Sequence, residues 1–174
     1  MGWMLHGGKV TLRPFTEQDI NPAYLGWLND PRVVRFSNQR FRRHDRASSL
    51  AYLHSFCGSD NLFILVQDSD TGRPLGTLTA YVARPHGTAD IGIMIGEPVA
   101  WGQGIGQDAW NTLTGWIAVQ PVIRKITAGA VASNLAMVRI MERSGMHLEA
   151  TRRAQEIVEG QAQDILYFAR FNRD

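Results

Sequence analysis

Glycine stands at 102, 104 and 106 in the stretch EPVAWGQGIGQDAW, and an amphipathic run begins directly behind it. In such a run, backbone N–H groups can converge on one point as a helix starts, where the helix dipole favours an anion. A dinucleotide fingerprint would place its third glycine one residue later, where Gln107 stands. A nucleoside-triphosphate loop would carry a lysine, and none lies between Lys9 and Lys125. The stretch therefore reads either as a softened loop ahead of a helix or as a backbone cradle for phosphate.

Other reactive side chains narrow the chemistry. Six arginines fall between Arg32 and Arg46 (32, 35, 40, 42, 43 and 46) against one acid, Asp45. That run is either a solvated face or a surface turned toward an anion. Over the whole chain 18 Lys+Arg meet 16 Asp+Glu, a balance that does not suggest a nucleic-acid binder. Cys57 is the sole cysteine, so no intrachain disulfide can form, and nothing beside it marks an activated thiol. The five histidines (6, 44, 54, 86 and 147) lack ligand spacing, and no metal site is expected. No apolar run approaches the roughly 18 residues of a membrane span, and the expected location is the cytoplasm.

The elements that must position these residues follow from periodicity. VTLRPF (10–15) alternates as a strand, and Thr16 with Asp19 resembles a cap for one helix over EQDINPAYLGWL, broken by NDP at 29–31. Leu50, Leu53 and Phe56 give a second helix over 46–57. LFILVQD, LGTLTAYVA and ADIGIMIG then form an antiparallel meander joined by two short turns. Behind the glycines, Ile105, Ala109, Trp110, Leu113, Trp116 and Ile117 repeat as a helix packing one face on that meander. A strand over 124–131 leads to a helix headed by Ser133 or Asn134 and stopped at Gly145, and the chain ends in two strands around Glu159-Gly160. No linker or repeat interrupts the sequence, so residues 1–174 are expected to form a single α+β domain, a mixed, mostly antiparallel sheet flanked by helices.

This order of elements, with WGQGIG at 101–106 and NLAMVRIMERSGM at 134–146, resembles the GNAT superfamily of acetyl-CoA-dependent N-acetyltransferases. LRPF, WLNDPRV and the final hairpin resemble the branch containing ribosomal-protein N-terminal, spermidine and amino-sugar acetyltransferases. The resemblance implies that Trp101, Gly102, Gln103, Gly104, Ile105 and Gly106 form the pyrophosphate loop of coenzyme A, with a side chain at 104 or 106 standing in the way. It implies that Ile93, Met94 and Ile95 lend backbone groups to the pantetheine and thioester, and that Asn134 binds the pantetheine arm.

Acetyl transfer needs a neutral amine, and an alkylamine with a pKa of ~10.4 is neutral only about one part in a few thousand at pH 7. A base is therefore expected. By the resemblance, Asp90 sits where the superfamily often keeps an acid on its fourth strand, and Glu156 where the ribosomal-protein branch places a glutamate. His86 is a third candidate. Where many members carry a tyrosine as acid for the leaving thiolate, this chain has Met141, so water or Ser133 would supply the proton. The expected activity is direct transfer to a small, anionic acceptor such as a nucleotide-linked amino sugar. A protein N-terminus is the alternative acceptor, and a non-catalytic acyl-CoA-binding module the alternative class. The resemblance leaves room for a homodimer; no nucleic acid or membrane partner is expected.

Overall fold

The computed structural model describes residues 2–172. Eight strands form one sheet: β1 (Leu5–His6), β2 (Val10–Pro14), β3 (Leu62–Asp68), β4 (Pro74–Ala83), β5 (Thr88–Ile95), β6 (Lys125–Val131), β7 (His147–Val158) and β8 (Gln161–Phe171). Their spatial order is β1-β2-β3-β4-β5-β6-β8-β7, antiparallel throughout except between β5 and β6. Four helices flank it: α1 (Pro22–Asn29), α2 (Arg46–His54), α3 (Ile105–Ala118) and α4 (Leu135–Arg143). The short β1 is an addition to the strands legible from periodicity.

Alternation along the strands divides the core between the two faces of the sheet. On one face Leu12, Ile64, Leu78, Ile91 and Ile126 meet Ile105, Ala109, Trp110, Leu113 and Ile117 of α3 and Met141 of α4. The helix behind the glycines thus packs on the meander as its spacing predicts. On the other face Phe15, Tyr24, Trp27, Leu28, Phe56, Phe63 and Leu65 form an aromatic-rich core beneath α1 and α2.

The first predicted helix is two elements. Thr16 and Asp19 do form a capping box, but it closes a 3-10 turn at Glu17–Asp19, and α1 begins afresh at Pro22 with Asn21 as its cap. The reason is Asp19. Its carboxylate accepts two hydrogen bonds from the Arg13 guanidinium at 2.8 Å and two more from the Thr16 N–H and hydroxyl, which ties the turn to β2. Helix α2 also ends sooner than expected, at His54. At the far end Asn134, not Ser133, caps α4, and Gly145 stops it with φ 78°.

Candidate active site

Strands β5 and β6 share three rungs: Thr88 with Lys125, Ala89 with Ile126 and Asp90 with Thr127. Beyond Asp90 they part, while β5 stays paired with β4 as far as Ile95 and β6 with β8 as far as Val131. The open side of β5 therefore offers backbone groups with no strand partner. Gly96 donates its N–H to the Leu75 carbonyl at 2.9 Å, and the Met94 carbonyl points into β4, where it would collide with any Cβ on Gly76. Since alternate residues of an antiparallel strand turn their N–H and C=O to opposite sides, Ile93 and Ile95 face the gap and Met94 does not. The Ile95 carbonyl is taken by the Trp101 indole N–H at 2.9 Å. Of the three residues expected to lend backbone groups, Met94 contributes its side chain to the cavity instead.

The glycine loop lies at the end of that open edge. Gly102 and Gly104 hold φ of 72° and 78°, a left-handed conformation that is cheap only for glycine, and Gly104 is the residue from which α3 starts. The N–H groups of Gly102 to Gly106 have no backbone partner among the described residues, as the first turn of a helix requires. Gly106 has a packing reason to be glycine. A Cβ there would press on Ile140 at 3.2 Å and meet Ile95 in ordinary contact at 3.6 Å, so its small size lets α3 approach α4. Gln103 is folded back, donating from its amide to the Val99 carbonyl at 2.6 Å. Asn134 uses Oδ1 to cap α4 through the Met137 N–H at 3.3 Å, and its Nδ2 has no partner among the described residues.

On the opposite face, a cavity of about 370 Å³ lies between α1, α2 and the β4–β5 surface. Gly92, Ile93, Met94, Thr77 and Thr79 form its floor, Tyr24, Tyr52 and Phe63 its apolar wall, and Arg42, Arg43 and His44 its rim. Among the described residues no carboxylate lines it. A second hollow of about 410 Å³ shares Leu28, Arg42 and Arg43 and adds Arg40 and Pro31. The arginine run is thus split in use. Arg32 pairs with Asp30, Arg35 forks onto Glu159 of the β7–β8 turn, and Arg46 donates to the Ile20 carbonyl. Arg42 and Arg43 have no acidic partner among the described residues and face the hollows.

The two candidate carboxylates are not one site. Asp90 occupies the last rung before the gap, two residues from Gly92 on the cavity face, and accepts a 2.6 Å hydrogen bond from the Thr127 hydroxyl. Its side chain reaches solvent but is hemmed in by neighbours; this desolvation raises its pKa above the usual carboxylate range, against the lowering pull of Thr127. Glu156 lies on β7, three strands across from β5, and pairs with Gln163, six residues along β8 from the rung level of Asp90, where Arg40 approaches it at 4.0 Å. His86 sits in an exposed 3-10 turn, its carbonyl held by Arg124, and Met141 is fully buried. Ser133 is exposed beside the α4 cap. Sequence reading passed over Tyr52. Its hydroxyl meets that of Tyr81 at 2.8 Å, and burial pushes its pKa well above the ordinary tyrosine value, so it stays protonated in the cavity wall. Its only local signal is the four-residue spacing to Phe56.

The profile of the acetyltransferase (GNAT) domain matches residues 9–147. The chain belongs to the GNAT acetyltransferases. It is an N-acetyltransferase by family, and the parted β5 and β6 with the glycine loop beyond them are the framework of that fold. No curated protein sequence matches this acetyltransferase. Among solved structures, a GNAT-family acetyltransferase from Bacillus anthracis is similar with a TM-score of 0.83 at 16% identity, over 99% of this chain and 100% of that one. RimL, a ribosomal L7/L12 alpha-N-protein acetyltransferase solved with coenzyme A, has a TM-score of 0.83 at 17% identity, over 99% and 100%. The spermidine N-acetyltransferase from Vibrio cholerae, solved with CoA and spermine, has a TM-score of 0.82 at 17% identity, over 94% and 96%. Identities this low carry the fold across, not the acceptor. Among the described residues no helix is long and apolar enough to cross a membrane.

Proposed function

We propose that this acetyltransferase uses acetyl-CoA and acetylates the primary amine of a small anionic acceptor, a nucleotide-linked amino sugar being the class that fits. The observation that carries the acceptor is the cavity's rim: Arg42, Arg43 and His44, with no carboxylate in the lining. Bringing an ammonium to each guanidinium would cost about 1–4 kcal/mol at ~4 Å, which disfavours a polyamine. Guanidinium forks hold phosphate, and the two hollows that share Arg42 and Arg43 suit an acceptor with a phosphate bridge between two bulkier ends.

The residues fit the donor. Gly102 and Gly104 present unpartnered N–H groups where a Cβ would be strained, Ile93 and Ile95 offer backbone along the open edge, and Asn134 keeps a free amide donor. Acetyl-CoA supplies an acetyl group activated as a thioester. Asp90, two residues along β5 from Gly92 of the cavity floor and outside the lining itself, accepts the amine's proton through a water. Glu156, engaged by Arg40, is assigned to holding the arginine wall. Cys57 is exposed and outside the cavity lining, in keeping with direct transfer and no acyl-enzyme.

The test is an acceptor panel of a nucleotide-linked amino sugar, spermidine and an N-terminal peptide, assayed with acetyl-CoA. Turnover of the sugar, with a KM raised at higher salt, is expected. Robust spermidine or peptide acetylation with little turnover of the sugar would overturn the acceptor assignment.

A further inference from the structure

Lys9 is tied by its main chain to the first turn of α3 and by its side chain to the glycine loop. Its main-chain N–H donates to Asp108 Oδ2 at 2.7 Å, and its side-chain Nζ donates to the Gln103 carbonyl at 2.6 Å. The same Nζ lies 3.4 Å from where a Cβ on Gly104 would stand, so the ammonium occupies the space directly over the loop's left-handed residue. Lys9 is exposed and pairs with no carboxylate among the described residues.

The nearest acid, Asp108 in the first turn of α3, is already committed: it accepts from the N–H groups of Gly8, Lys9 and Val10. A fixed ammonium with two donors to spare therefore stands beside unpartnered backbone N–H groups, in salt-bridge contact with no carboxylate among the described residues. The contact with the Gln103 carbonyl uses one of the ammonium's three donors. The ammonium's charge is complementary to a phosphate.

We propose that Lys9 is a diphosphate-binding residue of the donor site, supplying from the bend just before β2 the cation that the glycine loop lacks in its own sequence. This rests on the acetyl-CoA reading of the loop. The ammonium does two things at once. It fixes the Gln103 carbonyl away from the incoming anion, and it offers its remaining N–H donors to the anion's oxygens.

Binding of coenzyme A measured by calorimetry at several salt concentrations tests this without any acceptor. Lys9→Gln keeps a donor for the Gln103 carbonyl but removes the charge; Lys9→Arg keeps the charge. The Gln variant is expected to lose about ten- to a hundredfold in CoA affinity at low salt, the worth of one charge-assisted hydrogen bond, with a shallower salt dependence than the parent. The Arg variant is expected to recover most of the affinity. Acetyl-pantetheine, which has no diphosphate, should bind both variants as it binds the parent. A Gln variant that binds CoA as the parent does, or that loses affinity with an unchanged salt dependence, would show that Lys9 only braces the loop and overturn the proposal. Failure of the unaltered protein to bind CoA would instead overturn the acetyl-CoA reading itself.

Discussion

A carboxylate that is hard to ionise is a cost to the fold and an asset to catalysis. Asp90 has its pKa raised by desolvation, so the folded state holds its proton at pH values where the unfolded chain has released it. Stability attributable to this group is therefore greatest below the unfolded value of about 3.9 and declines as pH rises through the window up to the raised folded value. Asp90→Asn should accordingly melt no lower, and somewhat higher, than the parent at neutral pH, with the gain absent in acid. Its turnover should fall by about 10²–10⁴ at neutral pH and recover in part at high pH, where the amine loses its proton unaided. Melting curves and pH–rate profiles of the same variant check both; a variant with parental turnover would remove Asp90 as base. The resemblance pointed to this residue, and the glycine loop stood out in the sequence itself. Lys9 and Tyr52 did not, because 94 positions separate Lys9 from Gln103 and 29 separate Tyr52 from Tyr81, and no local pattern joins them.

At the level of elements, the loop and the first turn carry the sharpest expectations. Gly104 starts α3 at φ 78° with open space on its Cβ side except for Lys9, so Gly104→Val would strain the backbone and shield the N–H groups without disturbing the packed core. Calorimetry should show CoA affinity falling at least tenfold while the far-UV spectrum is kept. In the turn ahead of α1, Asp19 is almost buried and its pKa is lowered: desolvation works against this, but the Arg13 and Thr16 hydrogen bonds outweigh it. Its stabilisation is present above the unfolded carboxylate value and is lost as pH falls through the lower folded value. Asp19→Ala should cost about 2–4 kcal/mol, at the lower end for a broken buried pair because Arg13 is partly in water. Denaturant unfolding from pH 7 to pH 3 would show that difference shrinking. The capping box was readable in the sequence, yet its partner was not. Arg13 lies on a strand that a helix-cap argument does not consult, which is why one helix was expected where a turn and a helix stand.

Across the whole molecule, periodicity gave the strands and the helix faces, while pairing order was beyond it. The exchange that puts β8 between β6 and β7, and the parallel join of β5 to β6, depend on contacts between segments far apart in the chain. The arginine run shows the same limit. Its charge was visible, but Arg35 is spent on Glu159 and Arg42 faces both hollows. Arg42→Ala should therefore raise the acceptor KM about tenfold or more with kcat little changed, whereas Arg35→Ala should leave both near parental values, a contrast that steady-state kinetics can read. The three rungs between β5 and β6 have a mechanical meaning as well. Each half of the sheet is laced along its full width, so stiffness is high within a leaf and low at the joint, with α3 lying across it as a spring. Thermal breathing is then expected to collect in the softest dimension, the width of the gap, which hydrogen exchange along β5 and β6 would read. An arm threaded between the leaves would then act as a splint, making the donor one of the structural members of the enzyme that consumes it.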